Sequence, residues 1–395
     1  MSILVLKICG NSWVNESRDK RELSAYRECG AEVAVLAKGE KIARGEMEFV
    51  DGYKVYRYTT QPLKIKCPAS VNRICSLFLW AKFVRKLDPE VISGHDLLGV
   101  LIGWMAMLGK RNKAKLVYDS HEFELGRNKQ RGNITRKIIK MTEGFLIKKC
   151  SYSIMVNDSI AEEVASIYHL KQRPVVVRST PNVWEISEEE CKKTRGEILK
   201  EIKNENNVEC FMLLYHGAVT TQRGIETMIN IVEMNTNVCG MILGNGEAQY
   251  LEELKQYVQE KNLGNRIVFK SAVPISELWK YVGAMDASLM MIEGESKSYY
   301  LSLPNKFFES IQSLTPIIAS DFPEMKRIIE QYDIGLTCNP NDLAKINECV
   351  ERLRTDKALI QRYKLNLLKA KIELCWENEK KTLIKAFDSY ILKKM

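Results

Sequence analysis

Residues 302–320 read Ser-Leu-Pro-Asn-Lys-Phe-Phe-Glu-Ser-Ile-Gln-Ser-Leu-Thr-Pro-Ile-Ile-Ala-Ser. Pro304 suits the first turn of a helix, because its missing N–H is an orphan there anyway. The apolar run that ends at Ala319 reads as a short buried strand. Working outward, the same alternation of apolar runs and helical patterns fills the chain. Ile3–Cys9, Glu32–Leu36, Val55–Tyr58, Glu90–Gly94, Lys115–Tyr118 and Tyr152–Val156 read as strands in the first half. Phe211–Tyr215, Val238–Leu243, Arg266–Phe269, Ala287–Met291 and Thr315–Ala319 do so in the second. Helical stretches such as Arg18–Glu28, Ala161–Tyr168 and Gly246–Lys261 lie between them. Strands alternating with helices make parallel sheets with crossover helices. Two such series imply an α/β protein of two Rossmann-like, doubly wound domains.

The 395 residues suit two domains, each able to bury its own core. The boundary is expected in Ser179-Thr-Pro-Asn-Val-Trp-Glu, where Pro181 breaks regular structure. The domains are therefore 1–182 and 183–376, with a C-terminal helix, 377–395, packing back on the first. In open α/β sheets functional groups gather outside the carboxyl ends of the strands. Two domains arranged this way would present those ends to each other across a cleft.

Eleven cysteines, Cys9, Cys29, Cys67, Cys150 and Cys338 among them, show no C-x-x-C pairs. They read as reduced intracellular thiols, neither a disulfide framework nor a zinc site. The start of the chain lacks a signal-peptide layout. The longest apolar stretch, Leu97 to Gly109, is too short to span a bilayer and reads as a buried helix. A cytoplasmic protein is expected. Residues 1–180 hold 31 Lys and Arg against 19 Asp and Glu, whereas the remainder is slightly acidic. A basic first half suits an anionic partner, the alternative being an ordinary solvated surface. No RRM-, KH- or helix-turn-helix-like pattern accompanies the charge, so nucleic acid is not the expected partner.

Three of the four histidines follow strand-like runs: His95, His121 and His216. His169 lies late in a helical stretch and reads as a surface or capping residue. No H-x-x-x-H or carboxylate triad marks a metal site. Asp119-Ser-His121-Glu122 places two carboxylates around an imidazole, suited to holding hydroxyls or polarising a leaving group, or else to capping a helix. After Phe211–Tyr215 comes His216-Gly217-Ala-Val-Thr-Thr-Gln-Arg223-Gly224, with a helix starting near Gly224. An arginine beside a helix N-terminus is suited to a diphosphate. Lys306 would add charge beside phosphates, and Glu309, one to two turns into its helix, would accept both hydroxyls of a ribose. The plainer alternative is a solvent-facing Lys/Glu pair. Gly244-Asn245-Gly246-Glu247 lacks the third glycine of a dinucleotide fingerprint and reads as a strand-to-helix turn.

Taken in order, these segments resemble the family 4 glycosyltransferases of the GT-B fold. The matching pieces are Val117–Glu122, Tyr215–Gly217 with Arg223–Glu226, Gly244–Glu247, and Leu303–Glu309 followed by Pro316–Ser320. Pro181-Asn182-Val183 is similar to the family's interdomain crossing, and Trp376-Glu377 to the return toward the first domain. The resemblance implies a retaining transfer from a UDP- or GDP-linked sugar, with neither metal nor cofactor. Arg223 would sit on the diphosphate with Lys306 as helper, and Glu309 on the ribose. His216, Gly217, Gly244, Asn245, Leu303, Pro304 and Asn305 would complete the donor site. Gly10, Asn11 and His121 would lie over the donor sugar, making His121, Arg223 and Glu309 the catalytic set. Many members carry a second glutamate eight residues before the one matching Glu309; that position is Leu301 here. Glu293 and Glu295 lie nearby as substitutes. A nucleotide-sugar epimerase and a catalytically silent nucleotide-sugar-binding protein share this architecture.

The acceptor would be a glycan or a lipid-linked acceptor, in surface polysaccharide or glycoconjugate synthesis. Arg127–Lys149 and Lys64–Lys86, the latter with Phe78, Leu79 and Trp80, interleave basic and apolar residues. Both suit an anionic membrane surface, giving peripheral association, or an ordinary helix packed on a sheet.

Overall fold

The computed structural model describes residues 3–13, 17–39, 47–61, 68–111, 113–127, 132–202 and 210–394. Cys67 and the first residues of the Lys64–Lys86 stretch lie outside them, as do residues 128–131 of the second basic stretch. The chain divides into two compact units, 1–178 with 379–395, and 179–378.

In the first unit the strands are β1 (Leu4–Ile8), β2 (Glu32–Lys38), β3 (Met47–Val50), β4 (Tyr53–Tyr58), β5 (Val91–His95), β6 (Lys115–Ser120), β7 (Tyr152–Met155) and β8 (Val175–Val176). They form one sheet in the order β3-β4-β2-β1-β5-β6-β7-β8, parallel except for the β3–β4 pair. Its helices are α1 (Ser17–Glu28), α2 (Ala69–Leu87), α3 (Asp96–Met107), α4 (Asn133–Ile147) and α5 (Asp158–Tyr168). The strand order reverses at β1, which has β2 on one side and β5 on the other. Such a switch point leaves a crevice at the strands' carboxyl ends. There the chain delivers Cys9, Gly10 and Asn11 from β1 and His95 from β5.

The second unit holds α6 (Glu188–Glu201), β9 (Phe211–His216), α7 (Ile225–Met234), β10 (Val238–Leu243), α8 (Ala248–Glu260), β11 (Ile267–Lys270), α9 (Ile275–Gly283), β12 (Ala287–Met290), α10 (Lys297–Tyr300), α11 (Asn305–Gln312), β13 (Ile317–Ser320), α12 (Pro323–Tyr332), β14 (Gly335–Cys338), α13 (Leu343–Thr355) and α14 (Lys357–Glu373). Its sheet is parallel, in the order β11-β10-β9-β12-β13-β14, and switches at β9. Strands β9 and β10 are buried along their whole length, so they read as continuous apolar runs rather than alternating ones. Met228, Ile229, Ile231 and Val232 of α7 are fully buried against them. At roughly 1.5–3 kcal/mol for each such side chain, this seam anchors the loop that α7 terminates. The last helix, α15 (Trp376–Tyr390), begins in the second unit and ends in the first. There Phe387 packs against Tyr26 at 4.7 Å, and Glu379 pairs with Arg178 at 3.0 Å.

Three readings are corrected. Cys210 and Cys239 are joined in a disulfide, so the thiols are not all reduced. Cys210 immediately precedes β9 and Cys239, 29 residues on, lies in the neighbouring β10, a pairing made by the sheet that no local spacing announces. The Leu97–Gly109 stretch forms α3, but Leu98 and Leu108 are exposed, so only one side of it is buried. Trp80 lies in the core, its Nε1 donating to the Thr59 carbonyl at 3.1 Å.

Candidate functional site

The loop after β9 sits at the switch point of the second unit. Gly217 takes φ +108°, a conformation that L side chains rarely adopt. A Cβ on Gly244 would lie 1.8 Å from the Gly217 carbonyl oxygen, so Gly244 is dictated by the close approach of two loops and Gly217 by its backbone conformation. Gly224 (φ +77°) caps α7, and a Cβ there would meet the Met291 carbonyl oxygen at 2.4 Å. This packing presents Arg223 immediately before the helix N-terminus.

Helix α11 supplies the facing residues. Pro304 is its N-cap rather than a residue of its first turn, and Asn305 begins it, exposed. Glu309 Oε2 lies 3.1 Å from His216 Nε2, and the imidazole is buried. Lys306 is 7% exposed, so it is not a solvent-facing lysine, and its Nζ sits 4.1 Å from the centre of the Tyr215 ring. Among the described residues the ammonium has no hydrogen-bond or ion-pair partner. Burial, with the Arg223 guanidinium nearby, depresses its pKa to about 7, against the pull of Glu309. Arg223 stacks on Tyr299 at 4.6 Å and donates to that hydroxyl at 3.2 Å, while its buried Nε has no partner among the described residues. Two cationic side chains with unsatisfied donors thus converge beside a helix N-terminus, an arrangement that calls for an anion.

The other donor-site expectations fall around this cluster. Asn245 is engaged in the loop itself, its Oδ1 accepting from Ala272 N at 3.0 Å. Leu303 belongs to the hydrophobic core with Phe307 and Phe308. Leu301 is buried as well. Tyr215 and Tyr299, which carry the two cations, were not among the residues singled out. Aromatic residues beside a strand end gave no separate signal.

In the first unit, Lys7 is fully buried in the middle of β1. Its Nζ contacts Asp19 at 3.2 Å, Glu22 at 2.7 Å and Asp119. Arg18 adds pairs to Glu22 at 3.0 Å and Asp119 at 3.2 Å. Burial opposes the charge on Lys7, yet Asp119, Asp19 and Glu22 outweigh it and hold the ammonium well above its usual range. Asp119 shows the converse: Lys7, His121 and Arg18 overcome burial and hold its carboxyl well down. Asp119 therefore turns inward on a strand and caps no helix. His121 Nε2 lies 3.0 Å from Asp119, His95 Nδ1 lies 3.0 Å from Asp19, and the two ring centres are 3.8 Å apart with the planes tilted by 38°. His169, by contrast, caps the C-terminus of α5 in the left-handed conformation. Cys9, Asp19 and His95, and likewise Asp19, Asp119 and His121, have the spacing of metal ligands. The Lys7 ammonium, however, stands among the same carboxylates where a cation would stand. A lysine inside an apolar strand run was the available signal for this network, and it passed unread.

Beside the histidines a cavity of about 430 Å³ is lined by Gly10, Asn11, His95, Asp96 and Arg127 at one end and by Leu98, Leu101, Ile138 and Ile139 at the other. Gly10 and Asn11 thus share a site with His95.

Residues 198–369 match the family described as glycosyl transferases group 1. A probable glycosyltransferase, WbjE of Pseudomonas aeruginosa, is 23% identical over 141 residues, 35% of this chain and 34% of that protein. The chain therefore aligns with about a third of that curated relative's length. Among solved structures, sucrose-phosphate synthase of Thermosynechococcus elongatus superposes with a TM-score of 0.78 at 16% identity, covering 99% of this chain and all of that one. Alr3699/HepE of Anabaena, solved with UDP-glucose, gives 0.74 at 13% identity, covering 98% of this chain and 100% of its own. The chain thus has the GT-B fold, and the stretch that matches the glycosyl transferases group 1 family lies within its second unit.

Proposed function

We propose that the protein is a retaining, metal-independent glycosyltransferase that moves a hexose from a nucleotide diphosphate sugar to a glycan or lipid-linked acceptor. The observation that carries this reading is the convergence of Arg223, Lys306 and the His216–Glu309 pair in the second unit. Arg223 and Lys306 hold the diphosphate and stabilise charge building on it as the glycosidic bond breaks. Glu309, oriented by His216, accepts the ribose hydroxyls. The retaining course rests on the family resemblance. Uridine is favoured over guanosine as the base, because the Anabaena relative was solved with UDP-glucose.

The acceptor reading draws on the first unit. Ile134, Ile138, Met141 and Phe145 form an exposed stripe at helical spacing on α4, among exposed Arg136, Lys137 and Lys140. Val71, Ile74 and Phe78 repeat the pattern on α2, beside Arg73 and Lys82. Apolar stripes flanked by cations suit the surface of an anionic membrane, where a lipid-linked acceptor for surface polysaccharide is met. No helix among the described residues is long and apolar enough to cross one.

A thermal-shift series tests the donor site, using UDP, GDP, ADP and their sugar conjugates on wild type, Arg223→Ala and Glu309→Ala. A ligand at about 100 times its dissociation constant stabilises the native state by about 2.7 kcal/mol. One nucleotide should raise the melting temperature of wild type and of neither variant. A shift unchanged by both substitutions would overturn the assignment.

A further inference from the structure

The cluster in the second unit brings two cations together, and among the described residues neither has a carboxylate partner. Arg223 donates one hydrogen bond, to the Tyr299 hydroxyl at 3.2 Å, with the guanidinium carbon 4.6 Å from that ring's centre. Lys306 stands in the same relation to Tyr215, its Nζ 4.1 Å from the ring centre. Carboxylates lie close along the chain, but each is engaged elsewhere. Glu226, one turn after Arg223, accepts from the Tyr250 hydroxyl, and Glu309, one turn after Lys306, lies 3.1 Å from His216.

What holds a cation decides what it can still do. A carboxylate would fix the guanidinium but also neutralise it and take up two of its five donors. An aromatic ring fixes the guanidinium plane by stacking and leaves the charge uncancelled, with the N–H groups directed outward from the edge. The Arg223 Nε accordingly stays buried and unsatisfied among the described residues. Tyr299 is fixed by the fold rather than by the cation it carries. Its N–H donates to Ser296 Oγ at 3.1 Å, its carbonyl accepts from Ser302 Oγ at 2.8 Å, and its side chain packs on the cluster of Phe307 and Phe308.

We propose that Tyr299 is a positioning residue: it holds Arg223 in place without neutralising it, so that the guanidinium stays available to a diphosphate. The inference rests on the donor reading above and adds how the site keeps its charge.

Calorimetric titration of the full chain with inorganic diphosphate reads this site without the base or the sugar being known. Wild type should bind, and Arg223→Ala should weaken binding by about 10-fold or more. Tyr299→Phe keeps the ring and loses the hydroxyl, so its affinity should stay within about 3-fold of wild type. Tyr299→Leu loses both, and a fall of about 10-fold is expected. Tyr299→Glu offers Arg223 a carboxylate, which holds the side chain but cancels its charge; its affinity should fall further, by about 100-fold. A purely structural role predicts the reverse order, with Tyr299→Glu binding better than Tyr299→Leu because Arg223 is held again. Should Tyr299→Leu fail to fold, Tyr299→Met, flexible and apolar, carries the comparison. Equal affinity in wild type and Tyr299→Leu, with Arg223→Ala weakened, overturns the inference and leaves the donor reading standing, as does the reverse order. Absent binding in wild type, or binding that Arg223→Ala leaves unchanged, overturns the donor reading and the inference with it.

Discussion

If a diphosphate occupies the Arg223–Lys306 site, its binding should take up a proton, and the amount follows from the surroundings of Lys306. Burial and Arg223 hold the free ammonium to a pKa of about 7, whereas the unfolded chain keeps the ordinary value near 10.5. A diphosphate beside the amine supplies the anion the pocket lacks and restores the charged form. Above pH 7 binding must therefore protonate a neutral amine. With the bound pKa returned near 10.5, the linkage predicts a roughly 50-fold fall in affinity, ~2 kcal/mol, between pH 7 and pH 9. A terminal phosphate ionises near pH 6, so the ligand's own titration contributes little across that range.

The folded state responds in the opposite sense. Between pH 7 and about 10.5 the unfolded chain binds a proton that the folded chain does not, so stability of the unliganded protein rises with pH through this window. Calorimetry in buffers of different ionisation enthalpy would report about half a proton taken up at pH 7 and nearly one at pH 8. Lys306→Met should bind more weakly at pH 7 with no pH slope. Lys306→Arg should keep the charge and also lose the slope. UDP affinity that is flat from pH 7 to 9 in wild type, or a slope that survives in Lys306→Met, would refute the reasoning.

Two further outcomes are expected. Gly244→Ala should force apart the loops after β9 and β10, because its methyl would meet the Gly217 carbonyl oxygen at 1.8 Å; a loss of ~1–3 kcal/mol in urea unfolding is expected, with UDP binding weakened in the same protein. The double variant Ile138→Glu, Met141→Glu should leave the melting temperature unchanged, since both side chains are exposed, yet abolish sedimentation with phosphatidylglycerol vesicles. Equal sedimentation of variant and wild type would remove the membrane reading.

What was legible in the chain, and what was not, follows from how far apart the interacting residues lie. The doubly wound fold was readable because each buried strand is a contiguous apolar run and each crossover helix has its own period. The strands missed were β3, β8 and β14. The first is an antiparallel edge pair with alternating exposure, the second is only two residues long, and the third carries polar Thr337 between its apolar residues. Arg223 and Lys306 stood out since each lies within a turn of a glycine or proline that punctuates the chain, and Glu309 since it lies one to two turns into the helix that Pro304 opens. Their mutual placement came from the β9 switch point, which brings loops 90 residues apart to one spot; His216 and Glu309 are separated by 93 positions and meet at 3.1 Å.

The Lys7 network lies beyond local reading for the same reason carried further. Lys7 and Asp119 are 112 residues apart and meet only because β1 and β6 flank β5 in the sheet. The apolar run around Lys7 hints at burial, but nothing near it names the carboxylates that pair with it. Once β1 is known to be central, however, a buried lysine demands anions, since an uncompensated charge there is untenable. The chain supplies three carboxylates, from one helix and one strand end. A short Asp-Ser-His-Glu sequence can therefore be recognised as a candidate site by its residues, while the ion pairs of its aspartate are decided by a lysine two strands away in the sheet. Leu301 makes the complementary point. It occupies the place of a family glutamate, but its side chain is buried and its backbone N–H caps the four-residue α10. Restoring a carboxylate there would put a charge into the core, where burial disfavours it.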